Sequence, residues 1–175
     1  MSDTAALVER LARRVEQLED TLAIQQLITT YGPAVDSGSA EAVGALWTAD
    51  GVYDVDSGAY RGRAEIEAMV RSDAHQGLIH RGCGHLLDPL NIRVDGDTAV
   101  VTCHSQLVLK ADKGFRVARV TANRWELVRR ADRWAVTLRV ARVLDGGDEA
   151  RELLASGVHP PTAPILHPGA TDFLS

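Results

Sequence analysis

Between residues 4 and 35 the apolar positions recur every three or four residues: Val8, Leu11, Val15, Leu18 and Leu22, then Ile24, Leu27, Ile28, Tyr31 and Val35. That spacing lays an apolar stripe along a helix. The first five positions resemble a short coiled-coil seam of about two heptads, and they read as a leader helix packed on its own or a neighbouring subunit. Gly32-Pro33 interrupts the second set, because proline offers no N–H to residue 29 and its ring crowds the preceding turn; a kink or an early end is expected there. Ser39 is placed to cap a short helix running through Trp47, with Glu41 in its first turn, and Asp50-Gly51 then opens a strand over residues 52 to 55. Residues 64 to 72 read as a third helix.

From His85 onward the period changes to two. Strands are expected at 85 to 94, 98 to 109, 115 to 129 and 133 to 144, joined by the polar turns Asp95-Gly96, Asp112-Lys113-Gly114 and Ala131-Asp132. Helices first and strands afterwards, without βαβ alternation, argue an α+β fold: N-terminal helices packed on a long curved antiparallel sheet. A short helix follows over 148 to 155, and the tail beyond it carries Pro160, Pro161, Pro164 and Pro168, which makes it irregular and extended. The organisation expected is a leader helix over 1–19, a cone domain over 20–156 and a C-terminal tail over 157–175 that closes over the pocket without being needed for folding.

Composition narrows the function classes. With 175 residues, 45% hydrophobic and 25% charged, the chain fits one globular domain. The formal net charge is -5, and lysines and arginines are mixed with acids rather than clustered, so nothing marks a nucleic-acid partner. Cys83 and Cys103 form neither a CxxC pair nor a disulfide framework, which points to a reducing, cytoplasmic setting. No apolar run reaches the ~20 residues of a membrane helix. Dinucleotide, nucleotide, serine-hydrolase and zinc-protease motifs are missing, and no cofactor is required. An oligomer is expected, because the leader helix and a row such as Val101, Cys103 and Leu107 offer more apolar surface than one small cone covers.

Four histidines precede or enter the strands: His75, His80, His85 and His104. Spacing of five between the first three shares no helical or strand face, which argues against a metal site. His85 follows a glycine-rich stretch (Gly77, Gly82, Gly84) that suits a turn into a strand. Asp36 ends an apolar helical face; it either makes a local turn hydrogen bond or aims its carboxylate at the sheet, where it can hold an imidazole N–H. On the strand from Thr98, alternation sets Val100, Thr102, His104, Gln106 and Val108 on one face, toward either pocket or water. Thr121, Asn123, Arg139 and Arg142 carry the same ambiguity.

The segments AIQQLITTYGPAVDSGSAEAVGALWTADGVYDV, GAYRGRAEIEAMV, GHLLDPLNIRVDGDTAVVTCHSQLVL and NRWELVRRADRWAV, in that order, resemble the SnoaL-like branch of the nuclear transport factor 2-like superfamily. The resemblance covers roughly residues 20 to 145. It implies a cystatin-like, cone-shaped α+β barrel around an apolar pocket, assembled as a dimer or, favoured here, a trimer. It is nearest to scytalone dehydratase, hexachlorocyclohexane dehydrochlorinase and bile acid 7-alpha-dehydratase, which implies a catalytic Asp36–His85 pair assisted by Tyr31, with Tyr53, His104 and Asn123 binding substrate. The activity implied is a cofactor-independent β-elimination or isomerisation on a small hydrophobic ring compound of steroid, terpenoid or polyketide type. The alternative is a non-catalytic binding or assembly protein with the same fold.

Overall fold

The computed structural model describes residues 3–158; the expectation of an irregular tail closing the pocket lies outside them. In chain order the elements are α1 (Asp3–Asp36), α2 (Ala40–Ala45), β1 (Trp47–Val55), β2 (Gly58–Arg61), α3 (Arg63–Arg71), α4 (Asp73–Arg81), β3 (Cys83–Leu87), β4 (Asn91–Asp95), β5 (Thr98–Lys110), β6 (Phe115–Arg130), β7 (Arg133–Val143) and α5 (Asp148–Ala155). Helices precede the long strands, as the change of hydrophobic period predicts, and the class is α+β.

The sheet has seven strands in the order β2-β1-β7-β6-β5-β3, with β4 also on β5. It is mixed rather than wholly antiparallel: β1, arriving from the helices, pairs parallel to β7. The single strand expected over 85 to 94 is two strands laid end to end along β5, β3 against residues 105 to 109 and β4 against 98 to 102. Asp88, Pro89 and Leu90 separate them, and a proline cannot donate to the ladder at that point.

The inner face of the sheet supplies Val101, Cys103, Trp125, Leu127 and Val136, packed against Ile24, Ile28, Tyr31 and Val35 of α1, Val43, Trp47, Ile66 and Val70. Burying side chains of this size stabilises the fold by roughly 1.5–3 kcal/mol each. Val101 and Cys103 are therefore core residues rather than an exposed row, at 0% and 4% exposure. The exposed large apolar residues are instead Leu7, Val8, Leu11, Val15, Leu18 and Leu22 on α1, together with Leu86, Phe115, Val117, Val120 and Val158.

Helix α1 runs without a break past residue 19 and through Pro33 to Asp36, so the early end expected at Gly32-Pro33 does not occur. Pro33 is exposed, and the glycine beside it has a packing role. A Cβ on Gly32 would lie 2.5 Å from the backbone carbonyl oxygen of His85, well inside contact distance. The missing side chain lets the last turns of α1 lie directly against β3.

Gly32→Ala should therefore destabilise the protein by about 1–3 kcal/mol through overpacking, although alanine is intrinsically the better helix former by roughly 0.5–1 kcal/mol. Urea unfolding monitored by circular dichroism reads the sign directly. A stabilised Gly32→Ala protein would contradict the close approach.

Candidate active site

Because α1 and β3 meet at Gly32, the last residue of the helix faces the third residue of the strand. Asp36 grips residue 85 with both oxygens: His85 Nδ1 donates to Oδ1 over 2.6 Å, and the His85 backbone N–H donates to Oδ2 over 2.8 Å. The Cys83 thiol approaches the same Oδ1 at 3.7 Å. A carboxylate fixed on a neighbouring backbone amide cannot rotate freely, so the imidazole it holds is also oriented, with Nε2 left as the ring nitrogen available to chemistry.

A second histidine stands behind this pair. Helix α4, which the sequence reading took for a turn, begins at Ser72, whose side chain accepts the His75 N–H over 3.3 Å, and stops at Gly82 with φ of +89°. Ser72-Asp73 and Arg81-Gly82 are start and stop signals legible in the sequence, masked there by Gly77 and the histidine spacing. His75 is buried, its Nε2 donates to the Val35 carbonyl over 3.0 Å, and its ring lies 5.8 Å from that of His85. It thereby adds a second donor to a carbonyl at the end of α1 that also accepts the Gly38 backbone N–H over 3.1 Å.

His85 lines a cavity of about 100 Å³ together with Tyr53, Ser105, Leu107, Thr121 and Arg139. This is smaller and more polar than the deep apolar pocket expected. The polarity centres on Arg139, which is 4% exposed. Its guanidinium lies 4.2 Å from the centre of the Trp125 ring, 4.3 Å from Tyr31 and 4.6 Å from Tyr53. Nε and Nη2 both donate to Asn123 Oδ1, over 3.1 and 2.8 Å, while Nη1 is buried without a hydrogen-bond partner. Asn123 is in turn fixed by donating to Ser105 Oγ over 2.8 Å. The result is a buried cation with aromatic walls, a neutral anchor and, among the described residues, no carboxylate partner, so the cavity it lines favours an anionic or strongly polarised oxygen. Arg119, also at the cavity, is paired with Asp56.

Burial pushes the His85 pKa below its ordinary 6.5, against the opposing pull of Asp36; His75 and Arg139 add to the lowering. The imidazole is thus held neutral near pH 7 and able to accept a proton. Burial pushes the Tyr31 phenol well above its ordinary range, with Tyr53 adding to it and Arg139 opposing. Asp36, Cys83 and His85 offer ligand atoms within 4.8 Å of one another, the spacing needed for a metal ion. Burial and the adjacent Asp36 raise the Cys83 thiol, however, and both Asp36 oxygens already accept from residue 85, so the trio is better fitted to hold an imidazole than a cation.

The structure thus brings Asp36, His85 and Tyr53 to one site. Tyr31 packs behind Arg139 in the core and does not line the cavity, and Asn123 acts on it through Arg139 and Ser105, which it holds. His104 does not join them: β5 alternates, and with Cys103 buried in the core His104 is exposed on the outer face. Arg142 also faces outward, paired with Asp54 and Glu149. Arg139 was ambiguous in the sequence because the register of β7 on β6 shifts by one residue between Val136 and Leu138. Trp134 and Val136 point inward before the bulge and Arg139 and Ala141 after it, so strict alternation assigns the wrong face.

The model of the SnoaL-like domain matches residues 16–140, most of the chain. The chain belongs to the SnoaL-like family. A crystal structure of a nuclear transport factor 2-like protein with a cystatin-like fold from Novosphingobium aromaticivorans is 42% identical, with a TM-score of 0.80 over 82% of this chain and 94% of its own. An uncharacterised protein of Mycobacterium tuberculosis is 28% identical over 142 residues, 77% of this chain and 92% of that protein. Hexachlorocyclohexane dehydrochlorinase LinA-type3 from Novosphingobium barchaimii shares the fold, with a TM-score of 0.66 over 75% of this chain and 90% of its own, at 18% identity.

The lowered His85 pKa fixes how the stability of this SnoaL-like protein depends on pH. Between the folded pKa and 6.5 the unfolded chain binds more protons than the folded one, so the contribution is complete above 6.5 and is lost as pH falls through the folded value. Unfolding free energies measured from about pH 5 to 8 should show the wild type losing stability relative to His85→Gln on acidification. A difference that stays flat or widens in favour of the wild type at low pH would contradict the assignment.

Proposed function

We propose that this SnoaL-like protein is a cofactor-independent lyase that eliminates water, or a comparable leaving group, from a small cyclic carbonyl compound, with His85 as the base. The observation that carries the reading is the 2.6 Å Asp36–His85 hydrogen bond, with the ring at the wall of a cavity that also holds Arg139. Nε2 of His85 takes the proton next to the carbonyl, and the electrons of that C–H bond move into an enolate. The free N–H of Arg139, with the Tyr53 hydroxyl beside it, stabilises the negative oxygen. As the enolate collapses, the bond to the β-hydroxyl breaks, and the proton held on His85 passes to the departing oxygen, which leaves as water. Asp36 keeps the imidazole in the tautomer that begins the cycle and stabilises the imidazolium between the two transfers. With a β,γ-unsaturated ketone in place of the β-hydroxy compound, the same base would return the proton to the γ-carbon of the dienolate, and the reaction would be an isomerisation.

The cavity limits the substrate. At about 100 Å³ it is smaller than a benzene-binding cavity of about 150 Å³, so it takes the reacting edge of a ring, with the rest of the substrate outside, rather than an enclosed ring system.

Conversion of 3-hydroxycyclohexanone to cyclohexenone, followed by ultraviolet absorbance, supplies a test with a minimal ring. Wild type should accelerate it over buffer, His85→Gln should lose about 100- to 10,000-fold, and Asp36→Asn a large part of that with the fold retained. The rate should fall below about pH 6.5 as His85 takes up a proton, because its pKa lies under that value. Wild-type turnover in a folded His85→Gln protein would remove the base. Binding of the ketone without any acceleration would make the cavity a binding site.

A further inference from the structure

The N-terminal half of helix α1 lies outside the core it serves. From Thr4 to Ala23 every residue is exposed except Ala6 and Asp20, which are partly covered, and burial begins only at Ile24. About 24 Å of helix, the stretch ahead of Asp20, therefore projects free of its own core. Along it run Val8, Leu11, Val15, Leu18 and Leu22, exposed by 61%, 49%, 52%, 68% and 55%. The spacing is three and four, the a and d positions of successive heptads, and an apolar seam of this length in water calls for a partner.

We propose that this seam binds the same seam of a second copy of the chain, as a parallel two-stranded coiled coil. Three features of the helix select that occupant. The a positions before the body are Val8, Val15 and Leu22 and the d positions are Leu11 and Leu18; valine at the first two a positions with leucine at both d positions favours two strands over the three-subunit assembly that family resemblance implies. Charge sets the direction. Arg14 falls at g and Glu19 at the following e, so in a parallel pair Arg14 of each copy meets Glu19 of the other, twice over. An antiparallel pair centred on Leu11 and Val15 would oppose Arg14 to Arg14. Neither residue has an ion pair in its own chain among the described residues, whereas neighbouring Arg13 is paired with Glu9.

Packing of the helix on its own body leaves the seam open. Asp20 holds the body by accepting from Trp134 Nε1 and Arg129 Nη2, nearly opposite the seam; Ile24 and Ile28 enter the core about a third of a turn from it. The next a and d positions, Gln25 and Thr29, are polar, so the apolar seam ends where the helix meets the body. Two bodies can therefore flank one coiled coil without collision. This dimer is independent of the chemistry at His85.

Light scattering on the full-length protein tests it, because every substitution needed lies on exposed helix surface. Wild type should be a dimer at micromolar concentration. Arg14→Glu or Glu19→Arg, each of which sets like charges opposite one another, should weaken the dimer by about tenfold at low salt, and the double swap should restore it. Leu11→Glu with Leu18→Glu should give a monomer with an unchanged near-ultraviolet spectrum. A monomeric wild type, an assembly other than a dimer, single swaps without effect, or a double swap that fails to restore the dimer would each overturn the proposal.

Discussion

One carboxylate ties the site to the fold. Asp36 ends the longest helix and holds both the main chain and the side chain of residue 85, so docking of α1 on β3 and orientation of the imidazole are one event. The arrangement depends on Gly32, one turn earlier, where any side chain would strike the His85 carbonyl. A histidine tethered only through its ring would sample several rotamers. Anchored through its backbone amide as well, its main chain is held to the same carboxylate that fixes the ring.

Around that tether the electrostatics divide into two halves. On one side burial outweighs the pull of Asp36 and keeps His85 neutral. On the other, Arg139 stays charged among three aromatic faces, with Asn123 as its anchor and the Nη1 amino group without a hydrogen-bond partner. A neutral base beside an unpaired buried cation is what proton abstraction next to a carbonyl requires, since the base must accept a proton and the oxygen must accept charge in the same step. Tyr31 belongs to the second half: it walls Arg139 rather than touching the cavity.

Much of this was legible in the sequence, for identifiable reasons. Long helices and long strands announce themselves by period, so α1, β5, β6 and β7 fall where the hydrophobic pattern sets them. Short elements do not. Four-residue β2 carries too few alternations to register, and α4, with Gly77 in its interior, shows a weak apolar stripe despite clear caps. Asp36 and His85 could be singled out only through family resemblance, since the contact spans forty-nine residues and hangs on Gly32, which by propensity reads as a helix breaker. A bulge left the facing of Arg139 undecided, and the parallel pairing of β1 with β7 leaves no mark on the pattern of either strand.

The tautomer of His85 is where fold and chemistry meet, and nitrogen-15 NMR of the imidazole in the resting protein near pH 7 reads it most directly. Nδ1 should be protonated, donating to Asp36, with a bare Nε2 left for the substrate. A resting state with the proton on Nε2, or a doubly protonated ring at neutral pH, would contradict this assignment.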